Sequence, residues 1–248
     1  MSLDALRGFD MLWIIGGERV IHAWSKASDN QILHGLSEQF RHVSWDGFRF
    51  YDLIFPLFIF MAEVSMPFAI TSKVEKGVDK NTLAPRLVKR LAMLIILGLI
   101  YNGILQFNEN SRFASVLARI GISTFIAGMI VLYFDVQKQA AILGGILIGY
   151  WIALKSFAAP GFIAGDLSFY GNINSFLDCH FLPGRLHKGI HDPEGLLSNI
   201  PAAATALMGV MSGHLIRSKE KKCTNSKFSL VQAYYYSLLV GFGTLFIQ

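Results

Sequence analysis

Long apolar segments separated by shorter polar ones dominate the pattern of this chain. They lie at about residues 5–24, 50–72, 91–107, 113–134, 140–157, 196–216 and 228–248. A helix needs about 20 mostly apolar residues to cross the hydrocarbon core of a bilayer, and it satisfies its own backbone hydrogen bonds there. The pattern therefore predicts an all-α, polytopic bundle of about seven transmembrane helices that forms one membrane domain over residues 1–248.

Composition agrees with a membrane protein. Hydrophobic residues make up 53% of the 248 residues and charged residues only 16%, whereas a soluble domain has about a quarter charged residues. This composition excludes a disordered chain and argues against an ordinary cytosolic enzyme. The net charge of +5 does not indicate nucleic-acid binding, because an uneven distribution of cations between the loops accounts for it.

Most of the 22 lysines and arginines lie in short polar segments, at 73–90, 135–139 and 217–227. Cytoplasmic loops carry an excess of these residues. The distribution predicts a cytoplasmic N-terminus and places the segments at about 25–49 and 158–195 outside. A multi-pass protein of the plasma (inner) membrane is expected.

The second apolar segment contains two acidic residues. Asp52 and Glu63 are about three helical turns apart and therefore share one face of a helix, which Pro56 and Pro67 interrupt. Ionisable groups at membrane depth face the protein interior, which predicts that this helix forms the wall of a polar site. The alternative is a purely structural pair between Glu63 and an arginine such as Arg119.

Charged residues also mark the first apolar segment, which contains Arg7, Asp10, Glu18 and Arg19. Either the segment is a paired helix end at the membrane surface, or it lines a polar cavity. Two pairs of glycines four residues apart, Gly145/Gly149 and Gly209/Gly213, predict close packing between helices.

Histidines mark the expected outer side. His42 precedes the second segment, and imidazole is the side chain best suited to proton transfer near neutral pH. His187 and His191 are four residues apart, but glycine and proline interrupt the helix that a metal site would need, so no metal is expected. A polar outer loop that folds over an outward-facing pocket is the preferred interpretation. The candidates for contacting a substrate are Trp45, Asp46, Glu63 and Asp192.

Three blocks of this sequence, in order, resemble the heparan-alpha-glucosaminide N-acetyltransferase family. They read SLDALRGFDM, HVSWDGFRFYDLIFPLFIFMAEVSMPF and DPEGLLSNIPAAATALMGVMSGHLI. This family includes uncharacterised bacterial members. The resemblance implies transfer of an acetyl group from cytosolic acetyl-CoA to the amine of an amino sugar across the membrane. Family members have more spans than this chain, so C-terminal spans are expected to be missing here.

The resemblance also implies roles for individual residues. His42 takes the position of the active-site histidine, with Asp52 as the carboxylate that orients it. Active members carry an asparagine shortly before paired glycines in the first span, where this chain has Ile14 and Ile15, and this departure leaves the acceptor open. The phosphates of the donor would need cations on the inner side, for which the nearest candidates are Arg86, Lys89 and Arg90; the alternative explanation for these is the positive-inside rule alone.

Two functions follow from these patterns. The first is an acetyl-CoA-dependent N-acetyltransferase that lies in the lipid bilayer and uses an amino sugar as acceptor. A homodimer is its candidate oligomeric state. The second is a multi-span transporter of a small solute, in which acidic residues form an ion path: Asp10, Glu18, Asp52 and Glu63. His42 distinguishes the two, because an ion path centred on Glu63 does not require it.

Overall fold

The computed structural model describes residues 2–28, 30–104, 111–187 and 189–221. These residues form ten α-helices and no β-strand, so the predicted all-α class is confirmed. The helices are α1 (Ser2–Leu12), α2 (Glu18–Ala27), α3 (Gln31–Gln39), α4 (Phe50–Val64), α5 (Ser72–Glu75), α6 (Lys80–Tyr101), α7 (Val116–Tyr133), α8 (Val136–Ser156), α9 (Ile173–Phe181) and α10 (Asn199–Lys221).

Three helices of the described part are long and apolar enough to cross a membrane. They are the continuous helix Phe50–Glu75, which joins α4 to α5 through a π-helical turn, and α7 and α8. They coincide with the predicted spans 50–72, 113–134 and 140–157. The predicted spans 91–107 and 196–216 fall on α6 and α10, whereas 228–248 lies outside the described residues. The number of spans and the side of the N-terminus stay predictions.

The first apolar segment does not form the continuous helix that was predicted over residues 5–24. A π-helical turn, Trp13–Gly17, separates α1 from α2, and Gly16 has a φ of 127°. Only glycine adopts this backbone conformation readily, and counting apolar residues does not detect such a break. Beyond it, α2 and α3 pair through two hydrogen bonds, one between His22 and Ser37 at 2.7 Å and one between Ser25 and His34 at 3.0 Å.

Helix α10 lies at the centre of the bundle and packs against α4, α7 and α8. A Cβ atom added to Gly209 or Gly213 would lie 2.2 Å from a backbone oxygen of α4, that of Phe60 or Val64 respectively. The predicted close packing is therefore confirmed for this glycine pair. For Gly145/Gly149 it stays a prediction, because within the described residues nothing lies within 4 Å of a Cβ at either position.

Candidate active site

The segment that carries His42 connects α3 to α4 and is fastened at both ends. The side chain of Gln39 accepts a hydrogen bond from the backbone N–H of Phe50, at 3.4 Å. Glu38, near the end of α3, forms a salt bridge with Arg49 at 3.3 Å. Arg49 Nη1 in turn donates to the backbone oxygen of His42, at 3.5 Å. These contacts hold the segment against the first turn of α4.

His42 and Asp52 are in direct contact. The distance from His42 Nδ1 to Asp52 Oδ1 is 2.7 Å, and Asp52 Oδ2 accepts the backbone N–H of Arg49 at 3.1 Å. Both oxygens of Asp52 are thus occupied, and its side chain is only 8% exposed, against 71% for His42. An ionised carboxylate can only accept a hydrogen bond. In the neutral imidazole this contact favours the tautomer with the proton on Nδ1, which leaves the lone pair of Nε2 available for chemistry.

Trp45 joins this segment to the outer loop. Its Nε1 donates to the backbone oxygen of Leu167, at 2.9 Å, and its ring contacts those of Phe169 and His191, each with centroids 4.9 Å apart. Asp46, the next residue, is exposed on the same segment. The structure therefore brings two predicted substrate contacts, Trp45 and Asp46, into the segment that carries His42.

Asp192 lies in a buried ionic network inside the outer loop. Its carboxylate accepts hydrogen bonds from Arg112 Nε and Nη2, at 2.7 and 2.5 Å, and Arg112 also pairs with Glu194. Burial alone would raise the pKa of Asp192, but the hydrogen bonds and charge of Arg112 hold it below its ordinary value. Asp192 is fully buried, and its contacts hold the loop together.

A second histidine–aspartate pair lies beside this network. Asp178 accepts the backbone N–H groups of Leu196, at 2.9 Å, and Asp192, at 3.4 Å. His191 Nδ1 lies 3.7 Å from Asp178 Oδ2. Burial raises the pKa of Asp178 to about 6. Sequence reasoning missed Asp178, because its partners are far away in the chain and no motif identifies them.

Glu63 faces the interior of the bundle, as its helix position predicts. It is 2% exposed, and Thr124 Oγ1 donates to its Oε1 at 2.5 Å. The positive charges that act on it are those of Arg90 and Arg7. The alternative partner, Arg119, instead donates to the backbone oxygens of Pro193 and Ser198 and lies over the ring of Phe55.

The predicted donor-binding cations lie together on α6. Arg86, Lys89 and Arg90 are exposed, and their spacing of three and four residues places them on one helix face. Arg90 also acts electrostatically on Glu63, which links this face to the bundle interior. Among the described residues, no group of three or more His, Cys, Asp or Glu side chains could hold a metal ion.

Three polar atoms of the first apolar segment are buried and make no hydrogen bond within the described part of the chain. They are Asp10 Oδ2, Trp13 Nε1 and Glu18 Oε2. All three atoms belong to the segment that contains the break at Gly16. Buried polar atoms in native proteins are nearly always paired. This segment is therefore a place where a polar ligand or water would complete the hydrogen bonding.

Comparison with known proteins supports the resemblance found in the blocks around His42. The mouse heparan-alpha-glucosaminide N-acetyltransferase is 27% identical over 230 residues, covering 71% of this chain and 35% of the relative. The chain is similar to this acetyltransferase. The human protein of the same name gives 26% identity over the same share of the chain and 34% of its own length. The chain thus spans about a third of the length of the curated relatives it matches, and no protein-family model matches it.

Proposed function

We propose that this protein is a membrane N-acetyltransferase that moves an acetyl group from acetyl-CoA to the amine of an amino sugar. The contact between His42 and Asp52 carries the proposal, because these are the two residues that the resemblance identifies as catalytic. The similarity to acetyltransferases favours this function over transport. The donor is cytosolic and the acceptor lies on the outer side of the plasma membrane.

His42 acts as the proton acceptor in this reaction. The ammonium group of the acceptor must lose a proton before its nitrogen can attack a thioester. Nε2 of His42 takes that proton, the amine nitrogen attacks the carbonyl carbon, and the bond between carbon and sulfur breaks. The imidazolium then returns its proton to the departing thiolate, and the second amine proton goes to solvent. The alternative route passes the acetyl group through Nε2 itself.

Asp52 is the positioning residue of the pair. Its hydrogen bond fixes the tautomer that leaves Nε2 unprotonated, and its negative charge stabilises the imidazolium that forms during transfer. The backbone N–H of Arg49 and the first turn of α4 hold the carboxylate in place. Asp52 therefore orients His42 without itself touching the acceptor.

Supporting roles follow from position and charge. Arg86, Lys89 and Arg90 supply cations for the phosphates of the donor, since Lys and Arg form charge-assisted hydrogen bonds with phosphate oxygens. Trp45 and Asp46 contact the acceptor from the segment that carries His42. Glu63 lies apart from this segment, inside the bundle, and Asp192 contributes by holding the outer loop that Trp45 contacts.

A transfer assay tests the proposal. Membranes that contain the protein are incubated with radiolabelled acetyl-CoA and a panel of amino sugars, and labelled product is measured. We expect His42→Ala to abolish transfer without loss of expression, because His42 is exposed and contributes little to packing. Asp52→Asn should reduce the rate at least about tenfold.

His187→Ala is the matched control, because His187 is an exposed histidine of the outer loop and its backbone contact to Asp192 survives the change. It should leave transfer unchanged. Transfer at the wild-type rate by His42→Ala would remove the catalytic assignment and, with it, the preference for the enzyme over the transporter.

A further inference from the structure

The break in the first apolar segment lies against α4 and is followed by a partly buried carboxylate, that of Glu18. The turn Trp13–Gly17 ends at Glu18, the first residue of α2. The charges of Glu18 and Arg19 both act on the hydroxyl of Tyr51, and the ring of Tyr51 packs edge-on against His42 with centroids 4.7 Å apart. Tyr51 therefore contacts the imidazole of His42 and lies within reach of the charge of Glu18.

One carboxylate oxygen of Glu18 has no hydrogen-bond donor among the described residues. Its side chain is 17% exposed, and Arg19 Nε lies 3.8 Å from Oε1. Oε2 is buried and has no hydrogen-bond partner among the described residues. Arg19 itself points largely to solvent, with 86% of its side chain exposed. Oε2 of Glu18 is thus a hydrogen-bond acceptor that no described residue fills.

We propose that Glu18 Oε2 binds the ammonium group of the acceptor and holds the amine beside His42. This inference rests on the proposed acetyltransferase function and names the residue that selects an amine over a hydroxyl. An ammonium group supplies three donors and a positive charge, which match an acceptor-only carboxylate that has one unused oxygen. Asp10 Oδ2 and Trp13 Nε1, in the same segment, leave one acceptor and one donor for the hydroxyl groups of a sugar.

The chemistry is consistent with two different roles for two carboxylates. Glu18 attracts the protonated amine, whereas Asp52 makes His42 able to take its proton. After that proton moves to Nε2, the neutral amine attacks the acetyl group, and Glu18 keeps a negative charge near the newly formed imidazolium. Glu18 holds the amine and takes no part in the proton transfer, so it is a substrate-binding residue.

The position of Glu18 depends on Gly16. With a φ of 127° at Gly16, the chain turns between α1 and α2, and a continuous helix would send the side chain of residue 18 in a different direction.

Binding of glucosamine and glucose to the protein in detergent, without donor, tests the inference directly. The two sugars differ in one group, ammonium or hydroxyl, so the ratio of their dissociation constants reports on the ammonium site alone. We expect wild type to prefer glucosamine at least about tenfold, as a charge-assisted hydrogen bond implies. Glu18→Gln should bring the ratio close to one. If Glu18 has a purely structural role, Glu18→Gln should weaken the binding of both sugars equally and leave the ratio of their dissociation constants unchanged. That result would overturn the inference.

Transfer kinetics separate this inference from the proposed function. If wild type transfers acetyl groups, Glu18→Gln should raise the KM for glucosamine at least about tenfold and leave the KM for acetyl-CoA unchanged. An unchanged glucosamine KM would refute the role of Glu18 while leaving the acetyltransferase intact. Absence of transfer by wild type to any amino sugar would overturn the function and this inference together.

Two further variants complete the design. Glu18→Asp keeps the charge but shortens the side chain, so it should give an intermediate glucosamine KM, and it decides the matter if the glutamine variant fails to fold. Asp135→Asn is the charge-matched control. Asp135 is an exposed carboxylate between α7 and α8, 3.8 Å from Lys138, and its loss should leave both sugar affinities as in wild type.

Discussion

Replacing Gly209 with alanine should separate the two central helices. The added Cβ would lie 2.2 Å from the backbone oxygen of Phe60, whereas ordinary contacts begin at 3.4 Å. The neighbouring atom belongs to the backbone of α4, so no side chain can rotate away, and the helices must move apart by roughly 1 Å. This movement would loosen the interface that Gly213 and Val64 continue one turn further along.

Two opposing effects determine how much Gly209→Ala changes the free energy of unfolding. Overpacking of a close interface costs about 1–3 kcal/mol, and a backbone contact belongs at the upper end of that range. Alanine gains up to about 1 kcal/mol over glycine inside a helix. The net loss in the free energy of unfolding should therefore be about 2 kcal/mol, or roughly 4–8 °C in Tm for a chain of this size.

Thermal unfolding of the detergent-solubilised protein measures this change, with Gly145→Ala as the matched control. Gly145 is also a helical glycine four residues from another, but no described residue lies within 4 Å of its Cβ position. Its replacement should therefore leave the Tm unchanged or raise it by a few degrees, from helix propensity alone. Equal or higher Tm for Gly209→Ala than for wild type would refute the close approach of α10 to α4.

Three other changes give equally direct tests. Burial raises the pKa of Asp178 from 3.8 to about 6, so the folded state binds a proton at this carboxyl more tightly than the unfolded state does. The stability that this proton contributes is complete below pH 3.8 and is lost as the pH rises through about 6. Asp178→Asn should therefore flatten that part of a Tm–pH profile. Arg112→Met leaves the buried Asp192 and the partly buried Glu194 without their cation and should cost about 3 kcal/mol in unfolding by denaturant; an unchanged midpoint would contradict the network. In a cysteine-free background, an impermeant thiol reagent added to intact cells should label a cysteine at His187 but not at Lys76, and the reverse would invert the topology.

Sequence patterns predicted the parts of this protein that depend on local composition. Apolar length identified α7, α8 and the helix Phe50–Glu75, because hydrophobicity alone decides whether a segment suits a bilayer. Helical spacing predicted that Glu63 faces the protein interior, and its contact with Thr124 agrees. Such predictions need no knowledge of distant partners.

Other features could not be predicted in this way. The break at Gly16 depends on one backbone dihedral angle, which apolar periodicity does not encode. The pairing of Arg112 with Asp192 joins residues 80 positions apart, and nothing in either neighbourhood selects the other. His42 and Asp52 were associated by resemblance alone, because ten intervening residues can adopt many conformations. Glu18 was assigned to an ion path, since its closeness to Tyr51 follows only from that same break.

The bond between Trp45 and Leu167 connects positions that are 122 residues apart in the chain. Through this bond the His42 segment and the outer loop form one structural unit, whose two parts must match each other in sequence. In a chimera between two related proteins, exchange of residues 158–195 alone would pair Trp45 with an outer loop from the other parent. Exchange of residues 40–49 alone would pair the original outer loop with a His42 segment from the other parent. Recombinants that retain activity should therefore have inherited both segments from the same parent.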